Sequence, residues 1–364
     1  MSVLAAIAVL ALLIVVHELG HFTAARAQGI HVNRFSLGFG PILWKYQGPE
    51  TEYAIRAFPL GGFVGFPDDD PDSEIPPEDP NLLRNRPVLD RAIVISAGVI
   101  ANLIFAYFLL VGQVAAVGTP EFSYRPGVVV PKVAAEVSSA AAKAGIKPGD
   151  IILRVNNQEL GASKQAIQTL MEEIQTHPNE ALPITVQRSG ETLSLSVTPD
   201  LGPEGKGRIG VQLAQNAEVK RRRASNILEA FSTGAREFQR IVVLTVQGFG
   251  QLISNFGEMA DQVSGPVAIV ALGANIARSD AANLFQFAAL ISINLAIINI
   301  LPLPALDGGQ LAFLLIEGLR GKPLPTKIQD GVMQTGLMLL LGLGIFLIIR
   351  DAANLEPVQK LFQP

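Results

Sequence analysis

His17, Glu18 and His21 form the run HELGH, the one place where two of the four histidines stand four residues apart. On a helix, positions i and i+4 share a face, so both imidazoles can aim at one metal ion while Glu18 stands beside them as general base. That pattern points to hydrolysis by a zinc-activated water. The chain has no cysteine, so a zinc site must combine His with Asp or Glu, and disulfides and a thiolate nucleophile are excluded. His31 and His177 have neither the spacing nor the location to complete the site.

A catalytic zinc takes three protein ligands and keeps one position open, which asks for a partner outside HELGH. Asp307 is the best candidate. It sits in NILPLPALDGGQ, residues 299–310, directly after Pro302 and Pro304, whose missing amide donors should break a helix there. A carboxylate at membrane depth is costly unless paired or metal-bound. Gly308 and Gly309 let another backbone come close. The plainer alternative makes Asp307 only the N-cap of the next helix. Asn299 either stabilises an oxyanion or ties helices together by hydrogen bonding. Gly98 and Asn102, in SAGVIANLIFA, suggest close helix packing, with direct substrate contact as the alternative.

The elements that must position these groups are membrane elements. The chain has 364 residues, 49% hydrophobic and only 16% charged, and its net charge of −4 offers nothing to nucleic acid. Four segments are long and apolar enough to cross the bilayer: about 2–25, 92–116, 283–318 and 332–349. The third is too long for one span and carries the two prolines, and irregular backbone at that depth must line a cavity or be buried in protein. A signal peptide is the rival reading of the N-terminus. It lacks a basic leading region, and its helix runs on through HELGH to Arg26 with no cleavage site.

The expected fold is thus a polytopic α-helical membrane protein with about four transmembrane helices, a membrane-associated β-hairpin and an inserted α+β PDZ-like domain. In order, these are a first span with the HELGH motif (1–26), the hairpin and an acidic loop (27–91), a second span (92–118), the PDZ-like domain (119–200) and an interfacial helical connector (201–282). A broken third span carrying Asp307 (283–318), a short loop (319–331), a fourth span (332–350) and a tail (351–364) complete the chain. The PDZ-like reading rests on AGIKPGDIILRVNNQEL, residues 144–160, and on strand-like runs at 127–133, 151–155, 182–187 and 193–197 around a helix at 164–175. Such a domain can take a peptide as an added strand. Lys220 to Arg223 are expected to open a helix lying along the lipid headgroups. Basic residues in the first and last loops, such as Arg34, Arg84, Arg86, Arg320 and Lys322, place those loops in the cytoplasm and the PDZ-like domain on the other side.

HELGH, the PDZ-like insert and NILPLPALDGG, together with FSLGFGP, FPLGGFV and VSGPVAI, closely resemble the site-2 protease family of intramembrane zinc metalloproteases, over nearly the whole chain. The resemblance is strongest to the bacterial regulator of sigma-E protease branch. It implies that His17, His21 and Asp307 bind zinc, that Glu18 is the base, and that the segment Phe58, Pro59, Leu60, Gly61, Gly62 and Phe63 pairs with an unwound substrate. It implies single-span membrane proteins as substrates, such as trimmed anti-sigma factors or remnant signal peptides, and a bacterial inner membrane with the active site toward the cytoplasm. One PDZ-like domain stands where the sigma-E relative has two, so gating by that route does not carry over. Two other classes compete: a non-catalytic receptor or scaffold presenting the PDZ-like domain, and a metal transporter. The transporter would need acidic or His residues strung along several helices, and here they gather at one place.

Overall fold

A computed structural model describes residues 2–70, 73–133, 140–202, 205–255, 257 and 263–353. The chain divides into two compact units, residues 1–118 with 223–364, and Thr119–Arg222.

In the first unit, helix α1 (Ser2–Ala27) is an apolar run with no proline, carrying HELGH in its second half. It packs against α2 (Val88–Ala116), which begins directly after Pro87. Later come α5 (Ile227–Ser254), α6 (Pro266–Ser279), α7 (Leu284–Ile300), α8 (Asp307–Arg320) and α9 (Thr326–Ala353); in the second unit lie α3 (Ala140–Lys143) and α4 (Ala166–Thr176). Small residues line the contact of α2 with α7: Ala106 and Ala289 are fully buried, and Ser292 Oγ donates to the Asn102 carbonyl at 2.8 Å. In a lipid-covered bundle, close approach and interhelical hydrogen bonds of this kind hold helices together, because burial of apolar surface from lipid gains little.

Among the described residues three helices, α1, α2 and α9, are long and apolar enough to cross a membrane. The span expected at 283–318 is not one continuous helix. That segment is two shorter helices, α7 and α8, separated by an unwound stretch at 301–306. The cause is local. Pro302 and Pro304 cannot donate, Leu301 turns to an extended ψ of 141°, and Ala305 takes a left-handed φ of 68°, which costs a non-glycine residue about 1–2 kcal/mol.

The expected hairpin at 27–91 is more elaborate than a hairpin. Strand β1 (Arg34–Gln47) and strand β2 (Glu52–Gly65) each bend back. Residues 42–47 pair antiparallel with 52–56, while residues 34–37 run parallel to 52–55 on one side and antiparallel to 62–65 on the other. The bends fall at Gly38 and Gly61, with φ of 87° and 115°, where a side chain would be strained. Phe39, Leu43, Trp44 and Tyr46 are exposed on this sheet.

The second unit is a sheet with β4 (Ile151–Val155), β6 (Leu182–Arg188), β7 (Glu191–Val197) and two long strands, β3 (Thr119–Val133) and β10 (Val211–Arg222), in the order β10-β3-β4-β6-β7. Short pairings add β5 (Gln158–Glu159), β8 (Asp200–Leu201) and β9 (Gly207–Arg208). Val128, Val130, Ile152, Leu170, Ile184 and Val186 make its core. The sequence boundary at 200 is corrected here, because β10 pairs with the whole length of β3, from Val211 opposite Val133 to Arg222 opposite Thr119. Lys220, Arg221 and Arg222 therefore belong to a strand, and the helix expected from them starts only at Ile227, capped by the Asn226 side chain. Within the expected tail, residues 354–364 lie outside the described residues.

Candidate metal centre

His17 and His21 lie one turn apart on α1, and their rings meet edge to face. Asp307 arrives from the first turn of α8 because the unwound stretch folds back on that helix. A Cβ on Gly308 would lie 2.1 Å from the Leu301 carbonyl oxygen, so only glycine admits this return. The N-cap of α8 is Leu306 and no side chain caps it, so the plain N-cap role for Asp307 falls away. Its carboxylate turns instead to the two imidazoles.

Three atoms converge. His17 Nε2 and His21 Nε2 are 3.3 Å apart, and Asp307 Oδ2 lies 3.2 Å from the first and 3.4 Å from the second. These three residues form the one His/Asp/Glu cluster among the described residues fit to hold a metal ion. Zinc bonded at about 2.0–2.1 Å to nitrogen and oxygen in a tetrahedral array sets its ligand atoms about 3.3–3.4 Å apart. The observed triangle matches one face of that tetrahedron. The buried Asp307 Oδ2 has no hydrogen-bond donor of its own, as expected of an atom whose partner is a cation. His21 Nδ1 is 2.9 Å from the Val94 carbonyl, which can only accept, so the proton sits on Nδ1 and Nε2 offers its lone pair.

Space for the rings comes from α2. A Cβ on Gly98 would stand 2.4 Å from His21 Nε2 and 2.8 Å from His17 Cε1. Gly98 is therefore a floor under both imidazoles, a role that the sequence reading assigned only to general helix packing. Asn102, one turn further on, is fully buried with Nδ2 3.4 Å from His17 Nδ1. It serves the helix packing expected of it, through its carbonyl and Ser292, and in addition contacts a site residue.

The triad opens into a cavity of about 550 Å³, lined on its polar side by His17, Glu18, His21, Asn299, Asp307 and Gln310. Asn299 comes from the end of α7, its Nδ2 3.2 Å from His17 Nε2. Of the segment expected to meet substrate, Gly61, Gly62 and Phe63 line this cavity, and a Cβ on Gly62 would press to 2.9 Å on Glu18 Cγ. Phe58 is not among the lining residues; it is 59% exposed and stands over Gly40 instead. The side chains of Pro59 and Leu60 lie outside the described residues. His31 faces Asp79 at 3.7 Å and His177 folds onto its own helix, so neither approaches the triad. Gln310 was missed by sequence reasoning, although its place one turn after Asp307 puts it on the same face of α8.

Comparison with known proteins agrees with this chemistry. A Nostoc sp. protein named as a candidate zinc metalloprotease is 69% identical, over 100% of both chains. The Arabidopsis thaliana "Membrane metalloprotease ARASP, chloroplastic" is 50% identical over 99% of this chain and 80% of its own length. The Yersinia pestis "Protease RseP" is 31% identical over 95% of this chain and 97% of its own. The profile of Peptidase family M50 matches residues 5–343, a span that takes in the HELGH helix, the cavity and Asp307, and the chain accordingly belongs to that family, the site-2 proteases.

Proposed function

We propose that this chain is an intramembrane zinc metalloprotease that cuts peptide bonds within or beside transmembrane segments of other membrane proteins. The observation that carries the reading is the 3.2–3.4 Å triangle of His17, His21 and Asp307 facing a cavity that also holds Glu18. When bound, zinc supplies the Lewis acidity that makes water nucleophilic near neutral pH and polarises a peptide carbonyl. Glu18 takes a proton from the attacking water and hands it to the leaving amine nitrogen. Asn299 Nδ2 points toward the same space and donates to the carbonyl oxygen as negative charge builds there.

Substrate helices must first unwind, because their amides are bonded internally. The bent strand β2 brings Gly61, Gly62 and Phe63 to the cavity edge, and an unwound segment added alongside them is held extended beside Glu18. Single-span proteins suit this arrangement best, with trimmed anti-sigma factors and remnant signal peptides the classes implied by family resemblance. The broken segment α7–α8 counts as a fourth, interrupted crossing, with its unwound backbone facing the cavity. Loop basicity puts the site toward the cytoplasmic side of a bacterial inner membrane, and the Thr119–Arg222 unit on the opposite side. That unit is read as a PDZ-like module; a groove of about 400 Å³ beside α4, with Ile167 and Met171 on one wall and Gln215 of edge strand β10 on the other, suits an extended peptide.

The test is Glu18→Gln in proteoliposomes holding a single-span substrate. Zinc should stay at one per chain while cleavage disappears. Turnover by that variant would remove Glu18 from the reaction.

A further inference from the structure

The two imidazoles are not held alike. A neutral imidazole carries one proton, so a ring that binds metal through Nε2 must keep its proton on Nδ1, and something must accept it. For His21 the acceptor is the Val94 carbonyl at 2.9 Å. For His17 the group facing Nδ1 is the side-chain amide of Asn102, 3.4 Å away on α2. With the amide nitrogen facing the ring, a donor is set against a proton that also needs an acceptor. The amide oxygen meanwhile is buried with no donor. Oxygen and nitrogen of a carboxamide have nearly the same shape, and their assignment follows from the hydrogen-bond network. Turning the amide over brings Oδ1 to Nδ1–H and supplies the donor that Oδ1 lacks. It also leaves His17 Nε2 with its lone pair at the corner it shares with His21 and Asp307, where Asn299 Nδ2 lies 3.2 Å away.

We infer that Asn102 is a positioning residue for the metal centre: its side-chain oxygen accepts the His17 Nδ1 proton and so fixes the tautomer and ring plane in which Nε2 can bind zinc. The inference rests on the reading of His17, His21 and Asp307 as the metal site. Asn102 is well built for the task. It is fully buried, and its own backbone carbonyl takes the Ser292 hydroxyl at 2.8 Å, which anchors this turn of α2 against α7. Contacts of this kind to a ligating histidine change metal affinity by about 10- to 100-fold when removed.

The experiment measures zinc affinity of the full-length protein in detergent by competition with a chromogenic chelator. Asn102→Leu keeps the volume and loses the acceptor, and should bind zinc about 10- to 100-fold more weakly. Asn102→Asp keeps an acceptor and has no donor, and should stay near the wild-type value. Asn102→Leu binding like wild type, or Asn102→Asp binding as poorly as Asn102→Leu, overturns the assignment. His17→Ala separates the two levels of argument. Zinc retained in that variant defeats the metal-site reading itself, whereas zinc lost there with unchanged affinity in Asn102→Leu defeats only the role of Asn102. Should Asn102→Leu not fold, nitrogen-15 spectra of histidine-labelled wild type, stripped of zinc, decide the matter. A His17 proton on Nδ1 supports the inference, and a proton on Nε2 refutes it.

Discussion

At the residue scale, the centre depends as much on what is missing as on what is present. Gly98 has no side chain where both imidazoles lie, and the nearest approach of an added methyl would be 2.4 Å. Alanine is favoured over glycine in a helix interior by about 1 kcal/mol, so propensity alone would make Gly98→Ala harmless or stabilising. The expected result is the reverse at the site: helicity kept by circular dichroism, zinc occupancy and proteolysis lost. Full zinc occupancy in Gly98→Ala would show that the rings can yield. HELGH and Asp307 were legible in the sequence, because a four-residue histidine spacing and a carboxylate behind two prolines are local signals. Gly98 and Asn102 were visible only as a small-and-polar pair. Which face of α2 meets α1 is a long-range fact, and a helix that is apolar all round carries no stripe to announce it.

At the element scale, Asp307 must be delivered to α1 by a helix that does not belong to the same stretch of chain. An ion pair helps to hold that helix in place. Arg91 of α2 and Glu317 of α8 bond side chain to side chain, with only 16% and 14% of their side-chain surfaces exposed. Removing one partner leaves the other charge poorly solvated, a loss of about 3–5 kcal/mol for a fully buried pair and less for this partly exposed one. Arg91→Ala should therefore lower the melting temperature and weaken zinc binding together, since α8 carries Asp307. The exchange Arg91→Glu with Glu317→Arg should recover part of both, a non-additivity that a double-mutant cycle reads directly. If Arg91→Ala melts early but binds zinc normally, the pair serves stability alone. The break between α7 and α8 was readable from Pro302 and Pro304. The doubled-back sheet of β1 and β2 was not, because alternation in the sequence indicates strands and leaves open which segment pairs with which.

At the scale of the whole molecule, the two units are stabilised by different means. The Thr119–Arg222 unit holds a conventional apolar core with one buried charged clasp. Asp150 Oδ1 and Oδ2 each accept from Arg188 at 2.7 Å, and Asp150 also takes the Lys147 amide at 2.9 Å. The Arg188 guanidinium, ahead of the Lys147 amide, holds the Asp150 carboxyl below its ordinary value of 3.8. A carboxyl with a lowered folded value contributes stability that is complete above the ordinary value and is lost as pH falls through the lowered one. Acidification through the range below 3.8 should thus loosen this unit, seen as faster hydrogen exchange in β4 and β6 of the intact chain once intrinsic rates are corrected. Arg188→Gln should move that loosening to higher pH. Identical acid profiles in the two proteins would discount the clasp. The strands β4, β6 and β7 and helix α4 lie close to their sequence-based bounds, whereas β3 begins at Thr119 rather than at residue 127 and β10 was missed. VQLAQNAEVKRR has weak alternation and a basic end, and only its ladder with β3 makes it a strand.

That ladder has a consequence beyond its own stability. Thr119 and Arg222 pair at its first rung, and just outside it the Ala224 amide donates to the Val114 carbonyl. Chain leaves and re-enters the helical body at a single seam, with both ends side by side. A graft joined in this way can be lost, duplicated or exchanged over evolutionary time without disturbing the register of the hydrolytic core. The inserted unit and the segments that carry HELGH and Asp307 are thereby free to change at separate rates.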